Sequence, residues 1–160
     1  MPKYRLVNCD FLDDSKFKVE LSNKAKLLYL YMFINADDRG FVGKTLEIIK
    51  TLNENDENFG DKETLNLVPY TYENALQELL DRGLLFEFSN KHRSKTHLIR
   101  HWYYHNRYYK KAWTNYSEYS KLVRLKEGEY VLRKKGEPVV EEEPKLDDWD
   151  KMIQDLEKED

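Results

Sequence analysis

The chain has 160 residues, 40% apolar and 14% aromatic, enough for one sizeable core and too little for a two-domain enzyme. Its longest uncharged run in the first half, residues 27–36, falls far short of the ~20 apolar residues of a membrane span; no basic-then-apolar signal opens the chain, and the single Cys9 cannot form an internal disulfide or a Cys-rich zinc site, so a soluble, cytoplasmic, membrane-free protein held by packing is expected. The net charge of -3 conceals three blocks: 11 Lys/Arg against 16 Asp/Glu in residues 1–87, 13 against 3 in residues 88–136, and 3 against 11 in residues 137–160, so the middle of the chain asks for a polyanion.

Residues 4–17 read as a short ordered lead-in. Ser22 is a good helix N-cap and is followed by a Gly- and Pro-free stretch to Asn35, which predicts a first helix. Ala25, Leu28, Tyr29 and Met32 share one face and Leu27, Leu30, Tyr31 and Ile34 fill much of the rest, the pattern of a central, buried helix. Asp37-Asp38-Arg39-Gly40 is turn chemistry, and residues 41–43 allow only a short strand. Thr45 can cap a second helix through about Asn53, with Leu46, Ile49 and Leu52 facing inward. Residues 53–69 are polar and acidic and read as a long connection, with one helical turn near residues 63–67. A third helix opens at Tyr70-Thr71, turns Leu76, Leu79 and Leu80 inward and ends at Arg82-Gly83.

The period then becomes strand-like. Residues 84–88, a basic tip over 89–95 and residues 96–103 predict a hairpin with a long charged loop. Helix, short strand, helix, helix and hairpin is the winged-helix order, so the expected class is α+β, with a winged-helix domain and its aromatic-basic arm over residues 1–135. Gly128 suggests a turn before a short extended Tyr130-Val131-Leu132. Residues 136–160 read as an acidic, disordered tail, a tether or polyanion mimic. Within it Trp149, Met152, Ile153 and Leu156 recur at i, i+3, i+4, i+7, a small amphipathic segment suited to docking on a partner or packing weakly on its own domain.

Between Glu87 and Glu118 there is no acidic residue. The tip cations Lys91, Arg93 and Lys95, with Arg100, Arg107, Lys110 and Lys111 beyond them, therefore form the candidate phosphate-binding set. Tyr104, Tyr108 and Tyr109 are interleaved with these cations and can stack on exposed bases or hydrogen-bond phosphates; Trp102 and Trp113 are expected to be structural. The outward side of the third helix, Glu73, Asn74, Gln77, Glu78 and Asp81, is mostly acidic, which opposes major-groove entry, although Asn74 and Gln77 could read adenine edges. His97, His101 and His105 recur every four residues, but no carboxylate or thiolate stands near them in sequence to orient a metal, so no metal or cofactor is expected. The string His101 to Asn106 lacks the rest of a His-Asn-His nuclease. The isolated glycines leave no phosphate-cradling loop, and the chain reads as non-enzymatic.

Two stretches resemble a known family. Leu-Ser-x-Lys-Ala-x-Leu-Leu-Tyr from Leu21, leading to Ala36-Asp37-Asp38-Arg39-Gly40-Phe41-Val42, and then Leu98-Ile99-Arg100-His101-Trp102-Tyr103-Tyr104-His105-Asn106-Arg107 leading to Thr114-x-Tyr116, are similar to the N-terminal winged-helix domain of phage replisome organizers, DnaD-like replication-initiation proteins. The resemblance covers about residues 4–132 and implies origin DNA binding, duplex or single-stranded, oligomerisation and contact with host replication or helicase-loading proteins. The insertion at 53–69 and Lys110-Lys111-Ala112 depart from the family pattern. No second helical domain follows, which moves partner recruitment to residues 149–156. A protein-interaction module and a transcriptional regulator stand as the other readings.

Overall fold

A helix needs its first amides satisfied, and Ser22 does this for the first one: it sits in extended conformation and its Oγ accepts from the Ala25 amide at 3.2 Å, opening α1 (Asn23–Asn35). The computed structural model describes residues 21–57, 70–106 and 112–138; the lead-in at 4–17, the turn of helix at 63–67 and the tail lie outside them. Within these residues the architecture is mixed α+β, five helices and two small antiparallel sheets. Ala25, Leu28, Tyr29, Met32 and Phe33 of α1 are buried. The all-round burial expected of this helix does not occur: Leu27, Tyr31 and Ile34 are 39%, 40% and 61% exposed, because the helix packs on one side only.

Asp37 builds the turn that follows, its Oδ1 accepting from the Arg39 and Phe41 amides at 2.9 and 3.0 Å. Gly40 takes φ +91°, and β1 (Phe41–Val42) follows. In α2 (Thr45–Glu57) the inward residues are Ile48, Ile49 and Leu52. Leu46, expected inside, is 60% exposed, and Thr45 takes an inward place instead. The helix also runs past Asn53 into the predicted connection, which lets the Asn53 Oδ1 accept from the Tyr72 amide and cap the next helix from outside. That helix, α3 (Tyr72–Asp81), buries Tyr72, Ala75, Leu76 and Leu79. It ends with Gly83 at φ +69°, where Gly83 and Leu84 amides return to the Leu80 and Leu79 carbonyls. Glu78, read from the sequence as an outward residue, is turned back onto α1: its carboxylate accepts from the Ser22 amide and hydroxyl at 2.8 and 2.7 Å and from the Tyr70 hydroxyl.

The hairpin is β2 (Leu85–Ser89) and β3 (Lys95–Ile99), and the sheet order β1-β3-β2 puts β3 in the centre. Pairing of Glu87 with His97 and Leu85 with Ile99 defines one face, and of Phe86 with Leu98 and Phe88 with Thr96 the other. Residues 96–99 are all buried, because both faces are covered: α2 through Thr45 on the first, and on the second Tyr116 against Phe41 (ring centroids 5.7 Å) and Tyr119 stacked on Phe88 (5.0 Å). The strand stops at Ile99, short of the expected Tyr103. Residues 102–105 form instead the single turn α4 (Trp102–His105), with Trp102 buried against Phe33 and its Nε1 donating to the Asp38 carbonyl.

Of the expected arm, residues 112–135 pack on the domain. After α5 (Ser117–Ser120), a second hairpin, β4 (Val123–Lys126) and β5 (Glu129–Leu132), turns through Glu127 and Gly128, both at positive φ as a two-residue hairpin loop requires. Val123, Leu125 and Tyr130 enter the core. Three polar ties hold this segment to the turn after α1: Thr114 Oγ1 donates to Asp37 at 2.6 Å, Arg39 Nε to the Ala112 carbonyl at 3.0 Å and Tyr130 Oη to the Arg39 carbonyl at 2.8 Å. The turn at Gly128 and the extended Tyr130-Val131-Leu132 are as expected, and β4 is the partner strand that the sequence reading did not include. Trp113, expected inside with Trp102, is 56% exposed. No described helix is long and apolar enough to cross a membrane.

Candidate nucleic-acid interface

The β2–β3 tip is organised by one side chain. Asn90 Oδ1 accepts from the His92 and Ser94 amides, both at 2.9 Å, while the Asn90 amide donates to the Ser94 carbonyl and the Arg93 amide to the Asn90 carbonyl. This network holds Arg93 at φ +60°, a left-handed conformation that costs a non-glycine residue about 1 kcal/mol. Lys91, His92 and Arg93 are consequently presented to solvent on a fixed loop, and among the described residues neither Lys91 nor Arg93 has an ion-pair partner.

The other expected contacts are placed less favourably. Lys95 lies 3.0 Å from Glu87. Arg100 is folded against the domain: it pairs with Glu129 at 3.0 Å, reaches the Gly83 carbonyl and lies over the Phe86 ring. Asn74 and Gln77 are exposed on α3, but Asn74 accepts from Thr71 and Gln77 donates to Asp81. Glu73 beside them is held ionised below its ordinary range by the Asn53 amide. Tyr104 is 54% exposed and donates to the Glu127 carbonyl. Arg107, Tyr108, Tyr109, Lys110 and Lys111 lie outside the described residues, as do Trp149, Met152, Ile153 and Leu156.

The histidines have carboxylate neighbours after all, supplied by partners distant in sequence. His101 Nε2 lies 3.0 Å from Glu129. His97, fully buried, lies between Thr45 Oγ1 at 2.8 Å from Nδ1 and Glu87 Oε2 at 3.0 Å from Nε2. Burial lowers its pKa against the opposing pull of Glu87, so the ring is neutral, accepts from the Thr45 hydroxyl and donates to Glu87. Burial pushes Glu87 up, but the bonds from Lys95 and His97 outweigh it and keep the carboxyl below its ordinary range. With His97 neutral, Lys95 is the cation of this chain. The hydroxyl-imidazole-carboxylate series has the connectivity of a nucleophilic triad, yet Thr45 is 1% exposed and no substrate can reach its oxygen. It is a tie between α2 and the hairpin. Among the described residues no group of three or more His, Cys, Asp or Glu is arranged to hold a metal ion.

A second cationic surface escaped the sequence reading. Arg124 and Lys126 alternate with the buried Val123 and Leu125 and so point away from the core, with exposed Lys121, Lys134 and Lys135 near them in the chain. The signal was present in the alternation Val-Arg-Leu-Lys. No protein-family model, curated protein or solved structure matches the chain.

Proposed function

We propose that the chain is a non-enzymatic winged-helix protein that binds DNA and acts in phage replication initiation, in the manner of the replisome organizers it resembles. The succession α1, β1, α2, α3, β2, β3 with the sheet order β1-β3-β2 supports the winged-helix reading. The observation that carries DNA binding is the tip: two cations without an ion-pair partner among the described residues, on a loop fixed by Asn90, at the end of the hairpin that serves as the wing. Preorganised cations meet phosphates with little ordering cost. The acidic exposed side of α3 argues for a wing-led contact over major-groove reading through Asn74 and Gln77.

The interaction-module reading is favoured by one feature, the apolar stripe Leu27, Tyr31 and Ile34 at i, i+4, i+7 on the open side of α1. A salt series on duplex and single-stranded DNA separates the two. The DNA reading expects log K to fall linearly with log[salt], and expects Glu73→Gln with Asp81→Asn to hold or raise duplex affinity, since repulsion goes and no phosphate contact is lost. Absent or salt-independent binding, with those acidic changes abolishing capture of a protein partner, favours the module.

A further inference from the structure

We propose that the outward face of the β4–β5 hairpin is the docking site for this chain's own acidic residues 139–160, and that nucleic acid displaces them from it; the second clause rests on the DNA-binding reading. The start of the docked path is already in place. Glu137 lies 3.1 Å from Arg124 Nε and accepts from the Lys134 amide at 2.8 Å, while Arg133 Nη1 donates to the Pro138 carbonyl at 2.9 Å. The last described residues thus leave the domain on the face that carries Arg124 and Lys126, bound to it by the first acid of the tail.

Charge and reach agree with this path. Residues 121–135 hold six cations and two acids, one of which, Glu129, is engaged by Arg100; residues 139–160 hold ten acids and three lysines. The face is not purely polar: Leu122 is 50% exposed, and Val131 pairs with Arg124 across the hairpin. Apolar groups among cations are complementary to Trp149 and Ile153 among carboxylates. From Pro138 to Trp149 the chain can extend ~35 Å, against ~13 Å for the length of a four-residue strand, so the tail can lie along the hairpin without strain. Tethering so close gives an effective concentration in the ~mM range, enough for individually weak contacts to be populated. A polyanion that occupies cations also needed for phosphate lowers DNA affinity by the fraction of molecules left open.

The test uses the full chain with Glu141, Glu142 and Glu143 changed to Gln and Asp147, Asp148 and Asp150 to Asn, substitutions outside the described core. Backbone amide NMR shifts of this variant should differ from the wild type at residues 121–133, and 1 M salt, where charges are screened within ~3 Å, should bring the wild type to the variant's shifts. The variant should bind duplex DNA about 3- to 10-fold more tightly at low salt, with the difference gone at high salt. Absent shift differences, or differences confined to Leu27, Tyr31 and Ile34 of α1, overturn the docking site. Shifts at 121–133 with unchanged DNA affinity overturn the displacement. Shifts there with no DNA binding by either protein uphold the docking site and sink the DNA reading instead.

Discussion

Gly40→Ala should destabilise the protein by about 3 kcal/mol, lowering Tm by roughly 10 °C. Two costs combine at this position. The backbone stands at φ +91°, which is strained for any residue with a Cβ, by about 1 to 2 kcal/mol. A Cβ there would also lie 2.7 Å from Trp102 Cγ and 2.9 Å from its Cβ and Cδ2. The indole cannot retreat: it is 1% exposed, packs on Phe33 with centroids 5.0 Å apart and donates to the Asp38 carbonyl at 3.1 Å. Gly136→Ala supplies the control, because that residue has φ +87° and nothing within 4 Å of the added Cβ, so only the backbone cost of about 1 to 2 kcal/mol applies. Thermal unfolding of the two variants checks the account. Equal losses would mean that the contact with Trp102 is not what makes position 40 a glycine.

The second large effect is expected at His97. Its folded pKa is lowered by burial, so between that value and the ordinary 6.5 the unfolded chain binds a proton that the folded chain refuses. Stability is therefore full above pH 6.5 and lost as pH falls below it, by at most about 1.4 kcal/mol per pH unit. Glu87, lowered as well, adds a loss of the same sign only below its ordinary 4.5; Asp37, raised by burial, acts with the opposite sign above 3.8. Of the three, only His97 makes stability fall as pH drops just below 6.5, since Glu87 acts below 4.5 and Asp37 acts with the opposite sign. His97→Gln should be less stable at pH 7.5 by about 2 to 3 kcal/mol, since Thr45 and Glu87 lose a fitted partner, and its urea midpoint should be flatter between pH 6.5 and about 5 than the wild type's. A wild-type midpoint that does not fall between pH 6.5 and 5, or a variant with the same slope, would contradict a neutral buried imidazole.

What could be read from the chain was what local chemistry determines. Ser22 marked the start of α1 and Gly83 the end of α3, because a cap hydroxyl and a left-handed C-terminal glycine act within a few residues. The β2–β3 hairpin followed from the change of period after Gly83. On α2, Ile49 and Leu52 face inward as expected, but Leu46 was misplaced because it is more apolar than Thr45, and only the approach of His97, 52 residues away, gives a buried threonine hydroxyl its partner. The carboxylates facing His97 and His101 were missed for the same reason, since Glu129 stands 28 residues from His101. Residues 112–135 looked like an arm because cations dominate a count; Gly128 and the extended residues 130–132 were legible, but the burial of Val123, Leu125 and Tyr130 was not. For the candidate site, the exposure of Lys91 and Arg93 follows from any hairpin tip, but the engagement of Arg100 by Glu129 depends on the second hairpin and could not be read locally.

The central claim is that the fixed tip supplies phosphate contacts, and the salt dependence of duplex affinity for Lys91→Ala with Arg93→Ala tests it most directly. Each true phosphate contact adds about -0.9 to the slope of log K against log[salt]. The double variant should therefore show a slope flatter by about two units than the wild type, with its fold intact, since both side chains are exposed and neither has an ion-pair partner among the described residues. An unchanged slope and affinity would contradict the claim and remove the hairpin tip from the interface.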